Sequence, residues 1–95
     1  MKIGKVLEEL YSVVEERGRE LPEDSYTASL FKAGEDRILQ KVGEEAIESI
    51  LALKSGRKGE AVYEVADLLY HLTVALVNSE ITYDEIAEEL QKRMK

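Results

Sequence analysis

Ninety-five residues suffice for one domain with a single core, and 44% hydrophobic with 35% charged residues, one Pro and no Trp suit a helical protein, because Ala, Leu, Glu and Lys favour helix and few turn-formers interrupt them. The absence of Cys excludes disulfides and thiolate metal sites, and Met1 leads straight into a charged amphipathic stretch with no signal pattern, so a cytoplasmic location and no membrane partner are expected. A net charge of −7 argues against a nucleic-acid partner, whose backbone needs clustered Lys and Arg, but leaves a phosphate ligand open if a metal ion screens the acids.

Ile3, Val6, Leu7, Leu10, Val13 and Val14 recur at spacings of three and four, which predicts a first amphipathic helix. Gly18 and the stretch Leu21-Pro22-Glu23-Asp24 read as its stop and a turn. Ser25 to Phe31 reads as a loop leading into a helical turn that ends near Gly34. A second long helix is predicted from about Glu35 to Lys54, closed by Ser55-Gly56, and a third from near Gly59 to about Asn78. Thr82 with Glu85 three residues on forms a potential capping box for a last helix, with Ile81 and Ile86 placed for a hydrophobic staple. No repeat, linker or sustained period-two alternation appears, so the expectation is a single all-α domain over residues 1–95, a bundle of four to five helices.

The third helix carries the most informative anomaly. From Ala61 to Val77 its only acids are Glu64 and Asp67, and at ~100° per residue apolar side chains cover nearly every direction. Such a helix must be enclosed, by its own chain or by another subunit, and buried carboxylates are costly unless paired, protonated or metal-bound. The second helix supplies a counterpart, since Glu44, Glu45 and Glu48 share an arc of about 100° with Lys41 while Val42, Ala46, Ile47, Ile50 and Leu53 cover the rest. A short connection predicts an antiparallel return that brings the two acidic groups to similar heights. Taken alone, Glu44, Glu45 and Glu48 read as a solvated acidic face, and Glu64 with Asp67 reads equally well as a structural pair. Together on neighbouring helices they point to hard divalent cations, and Mg²⁺ suits all-oxygen ligation beside substrate phosphates. A ferritin-like di-iron site is excluded, because it wants Glu-x-x-His on two helices and this chain has one histidine, His71, four residues after Asp67. His71 reads as a hydrogen-bonded core residue beside the acids, not a ligand.

The pattern EExxE then ExxD, here Glu44 to Glu48 and Glu64 to Asp67, resembles the MazG-like all-α nucleoside triphosphate pyrophosphohydrolases. SYTASLF at Ser25 to Phe31, ILQKVGEEAIE at Ile38 to Glu48 and EVADLLYHL at Glu64 to Leu72 are similar to the phosphoribosyl-ATP pyrophosphohydrolase family of L-histidine biosynthesis, in order and spacing from roughly Val6 to Leu90. That resemblance implies a MazG-type fold assembled as a homodimer or higher homo-oligomer, and Mg²⁺-dependent hydrolysis of phosphoribosyl-ATP to phosphoribosyl-AMP and pyrophosphate. It further implies that Glu45, Glu48, Glu64 and Asp67 are the principal metal ligands and that Glu44, the first acid of the motif, binds metal or orients a water.

Hydrolysing an α–β phosphoanhydride requires a positioned water and neutralised phosphate charge. A spare carboxylate, Glu44 or Glu48, is the expected proton acceptor. Lys41 is expected to contact a phosphate or to pair with Glu44 or Glu45, with Lys32 and Arg37 as further phosphate-binding candidates. The hydroxyls of Ser25, Tyr26 and Thr27 are expected to recognise ribose or phosphate, or else to cap the turn they sit in. Two other readings use the same features: hydrolysis of ordinary or damaged (d)NTPs, and a non-enzymatic helical dimerisation module with structural acids.

Overall fold

The structure, a computed structural model, describes residues 1–95 and contains five α-helices and no strand. They are α1 (Ile3–Glu20), α2 (Tyr26–Ala33), α3 (Glu35–Ser55), α4 (Lys58–Asn78) and α5 (Tyr83–Arg93). The all-α architecture expected from the sequence is the one observed. None of the helices is long and apolar enough to cross a membrane.

Two local expectations change. Gly18 does not stop α1, which continues to Glu20 and ends where Leu21 turns left-handed (φ 50°) ahead of Pro22. A Cβ on Gly18 would lie 2.9 Å from the Phe31 ring, so the glycine lets α2 approach α1. Ser25 to Phe31 is not a loop with a turn but the start of α2, an eight-residue helix whose first turn is capped by Ser25 Oγ accepting the Ala28 N–H at 3.1 Å. The remaining boundaries agree with expectation to within one residue or so, as helix ends allow. α5 has the expected capping box: Thr82 Oγ1 accepts the Glu85 N–H, and Glu85 accepts the Thr82 N–H at 2.9 Å.

α3 and α4 form the antiparallel hairpin at the heart of the fold, joined through Gly56, whose left-handed φ of 77° closes α3. α1 packs on α4 and α2, and α2 packs on α3. The core is Val14, Leu30, Ile38, Val74 and Ala75, with Leu10, Phe31, Val42, Tyr70 and Val77 against it. It therefore joins the first half of α3 to the second half of α4. The other half of the hairpin is left largely uncovered by this chain: Leu53 is 61% and Val62 62% exposed, and Ile47, Ile50, Leu51 and Tyr63 are exposed as well. Of the two ways to enclose α4, its own chain covers only the C-terminal half. α5 contributes no buried residue and is held through Tyr83, which meets the Tyr11 ring edge-on and hydrogen-bonds Thr73.

Because Ile38 is essentially fully buried among groups from three other helices, Ile38→Ala should cost about 2–5 kcal/mol, read as a fall in the urea midpoint with an unchanged m-value.

Candidate metal centre

The acids are positioned by the seam between α3 and α4. The buried residues of α3 are Ile38, Glu45, Ser49 and Ala52, spaced seven, four and three apart, which is one stripe of a helix. Ile38 fills the core, and the small Ser49 and Ala52 let the two helices approach closely. Ser49 Oγ donates to the Glu64 carbonyl at 3.1 Å and so pins α3 to α4 at the level of the acids. Ser49 was not among the residues singled out in the sequence, although its place four residues after Glu45 puts it on the same stripe.

Carboxylate oxygens of Glu45, Glu48 and Glu64 lie within 4.8 Å of one another, and the Asp67 carboxyl abuts Glu45. Glu45 is only 3% exposed. Its Oε2 pairs with Lys41 Nζ at 3.1 Å, while its Oε1 is buried without any hydrogen-bond partner. A buried anionic oxygen with no donor is costly unless a cation meets it. Four carboxylates with a single lysine nearby leave a local excess of negative charge. This donor set fits a hard divalent cation, with Glu45, Glu48, Glu64 and Asp67 as the residues able to hold it.

Burial acts to push the Glu45 carboxyl up, but the adjoining Asp67, Lys41 and Glu48 side chains outweigh it and hold the group below its usual range. The converse falls on its neighbours. The adjoining Glu45 carboxyl, then its charge and that of Glu64, push Glu48 up; burial and then Glu45 push Asp67 up. Lys41 is raised chiefly by its bond to Glu45.

Glu44 stands outside this group, half exposed, with Lys41 at 3.4 Å and Gln40 Nε2 donating to it at 3.0 Å. Lys41 thus sits beside the acids and pairs with two of them. Lys32 and Arg37 are on exposed positions. Of the three hydroxyls, Ser25 caps α2, Thr27 is buried and hydrogen-bonded to Tyr70, and Tyr26 bonds His71 Nε2 at 3.0 Å. Beside the acids opens a cleft of about 340 Å³ lined by Glu48, Leu51, Arg57, Glu60, Tyr63 and Glu64. Arg57, paired with Glu60 at 2.9 Å, brings a second cation to its rim.

The family described as phosphoribosyl-ATP pyrophosphohydrolase matches residues 7–94 of the chain. Among similar proteins, the phosphoribosyl-ATP pyrophosphatase of Metallosphaera sedula is 50% identical over 90 residues, covering 95% of this chain and 97% of that protein. The phosphoribosyl-ATP pyrophosphatase of Haloarcula marismortui is 49% identical over 92 residues, with 95% and 94% covered. That of Geobacter sulfurreducens is 50% identical over 88 residues, with 93% and 82% covered. Five helices, an acidic seam between the two longest, and half identity over almost the whole length agree: the chain belongs to the phosphoribosyl-ATP pyrophosphohydrolase family.

Proposed function

We propose that this chain hydrolyses phosphoribosyl-ATP to phosphoribosyl-AMP and pyrophosphate, the reaction of histidine biosynthesis, using Mg²⁺ held by Glu45, Glu48, Glu64 and Asp67. The observation that carries the metal assignment is the buried, unpartnered Glu45 Oε1 clustered with the Glu48 and Glu64 carboxylates, with Asp67 adjoining Glu45. Bound there, Mg²⁺ would neutralise phosphate charge and make a water acidic enough to attack. Glu48 lines the cleft beside Glu64 and is the carboxylate best placed to take the proton of that water, with Glu44 as the alternative. Lys41 holds the Glu45 carboxylate in place and is the nearest cation for a substrate phosphate. Arg57 lines the same cleft and is a second cation available to a substrate phosphate. Lys32, Arg37, Ser25, Tyr26 and Thr27 remain proposals for substrate contact, and for Ser25 and Thr27 the capping and core bonds described above account for their hydroxyls.

The assembly we propose is a homodimer, closed by the apolar face that Ile3 of α1 forms with Leu53, Ala61, Val62, Val65 and Leu69 of the hairpin. A face of that kind, left open in one protomer, supplies what α4 lacks in its own chain.

The direct test is pyrophosphate release from phosphoribosyl-ATP with and without Mg²⁺, run beside a panel of dNTPs. Faster turnover of any dNTP than of phosphoribosyl-ATP would reassign the chain to nucleotide clean-up. No Mg²⁺-dependent hydrolysis of anything would leave only a structural module.

Stability should carry the signature of the acids. A carboxyl held above its unfolded value, as Glu48 and Asp67 are, adds stability that is complete below ordinary values of 4.5 and 3.8 and lost as pH climbs through the native pKa. Glu45, held low, adds stability above 4.5 that is lost as pH falls. Because Mg²⁺ competes with protons for the raised carboxyls of Glu48 and Asp67, its stabilising effect should be smallest at low pH and grow as pH rises through their native pKa values. Thermal unfolding with Mg²⁺ against EDTA across that range checks it, and a pH-independent difference would contradict the ligand set.

A further inference from the structure

His71 is the only histidine of the chain, it is 3% exposed, and both its ring nitrogens are engaged. Nδ1 lies 2.9 Å from the Asp67 carbonyl and 3.1 Å from Asp67 Oδ1. A carbonyl can only accept, so Nδ1 carries the proton and is shared between that carbonyl and the carboxylate. In the neutral ring Nε2 is then an acceptor, and the Tyr26 O–H, 3.0 Å away, is its donor. The Tyr70 ring, edge-on at 4.9 Å between centroids, closes the other side of the imidazole. Tyr26 itself is 51% exposed, so its ring adds little to the core, and the bond its hydroxyl makes with Nε2 links the start of α2 to α4.

We propose that Tyr26 and His71 are positioning residues for the metal centre: Tyr26 holds the imidazole, and the imidazole holds one oxygen of Asp67 so that the other is presented to Glu45 and to the cation. The inference rests on the assignment of Asp67 as a metal ligand. With Oδ1 tied to Nδ1–H, the carboxylate has a set rotation about its terminal bond and one oxygen free on the side of the acids. A hydrogen-bonded partner behind a ligand restricts the ligand's orientation in this way, and its loss typically weakens metal binding by about 10–100-fold. Packing alone asks for a ring at position 26 but not for a hydroxyl, and for bulk at position 71 but not for a donor directed back at Asp67.

Mg²⁺ binding measured by calorimetry without nucleotide, together with the melting temperature in EDTA, separates positioning from packing. Tyr26→Phe keeps the ring and should weaken Mg²⁺ about 10-fold, with the EDTA melting temperature lowered only as far as the loss of one hydrogen bond accounts for. His71→Ala should weaken it more, and His71→Asn, whose amide can donate from near the Nδ1 position, should recover part of the loss. Adding Tyr26→Phe to His71→Ala should change affinity no further, because the hydroxyl acts only through the ring. Wild-type Mg²⁺ affinity in Tyr26→Phe, or additive losses in the double variant, would overturn the positioning role while leaving the metal centre intact. A wild-type protein that binds no Mg²⁺ would remove the metal centre itself, and the positioning role with it.

Discussion

Glu48→Gln should lower Mg²⁺-dependent pyrophosphate release on the order of 10²–10³-fold and, in the same protein freed of metal, raise the melting temperature. The activity loss follows from removing one proposed anionic ligand and the proposed proton acceptor together. A metal's charge stabilisation is several kcal/mol, and each 1.36 kcal/mol is about tenfold in rate. The gain in stability follows from the arrangement of the acids. Without a cation Glu48 faces Glu45 and Glu64 at close range, and its carboxyl is raised first by its contact with Glu45 and then by the charges of Glu45 and Glu64. An amide of the same shape removes a charge and keeps a donor for Glu45. Glu44→Gln is the comparison, since Glu44 is half exposed and bound to Lys41 and Gln40 outside the group; its effect on rate should be smaller by about an order of magnitude or more. Activity assays at saturating substrate and scanning fluorimetry in EDTA read both quantities. A Glu48→Gln enzyme within a few-fold of wild type would remove Glu48 from the site, and a Glu44→Gln loss as deep as that of Glu48→Gln would make Glu44 the proton acceptor.

How much of this was legible in the sequence differs from element to element. The acids of the centre were legible because Glu64 and Asp67 interrupt a helix that has no other polar side, a conflict that only a partner or a cation resolves. The hairpin was legible from a connection too short for anything else. The helix wheel alone does not order the acids, since Glu44 and Glu45 are neighbours on it; the family resemblance set Glu44 last, and the position of the α4 seam buries Glu45 and leaves Glu44 exposed. The role of Gly18 was hidden because a glycine that ends a helix and one that admits a ring from another helix have the same letter, and Phe31 lies 13 positions away. Ser25 carried a cap signal, but the helix it opens is short, and short helices form through packing more than propensity. His71 is the instructive case. Its burial was expected, but the partner that gives it a direction, Tyr26, is 45 residues distant and belongs to a different helix.

Val62→Glu should convert the homodimer proposed above into a folded monomer. Val62 lies on the exposed apolar face with Leu53, Val65 and Leu69, and nothing in its own chain covers it. Glu is at least as good a helix former as Val, so α4 itself should not suffer, and a side chain already 62% exposed contributes little to the protomer's core. The cost therefore falls on the interface. Losing a buried Val is worth about 1.5–3 kcal/mol. Two-fold symmetry presents the substitution twice, so at about 1.4 kcal/mol per tenfold the dimer should dissociate ~10²–10⁴ times more readily, before the added penalty for desolvating two carboxylates. Sedimentation equilibrium of wild type and variant at matched concentrations reads the association directly, and circular dichroism confirms that the variant keeps its helices. The melting temperature of wild type should rise with concentration and that of Val62→Glu should not, because only the first is linked to assembly. A monomeric wild type, or a Val62→Glu variant that dimerises as tightly, would mean that this face closes against something other than a second copy of the chain. The expected monomer also bears on catalysis: the face includes Leu53 and Val62, at the same end of the hairpin as the cleft beside Glu48 and Glu64, so losing the second subunit should lower activity without touching a single ligand.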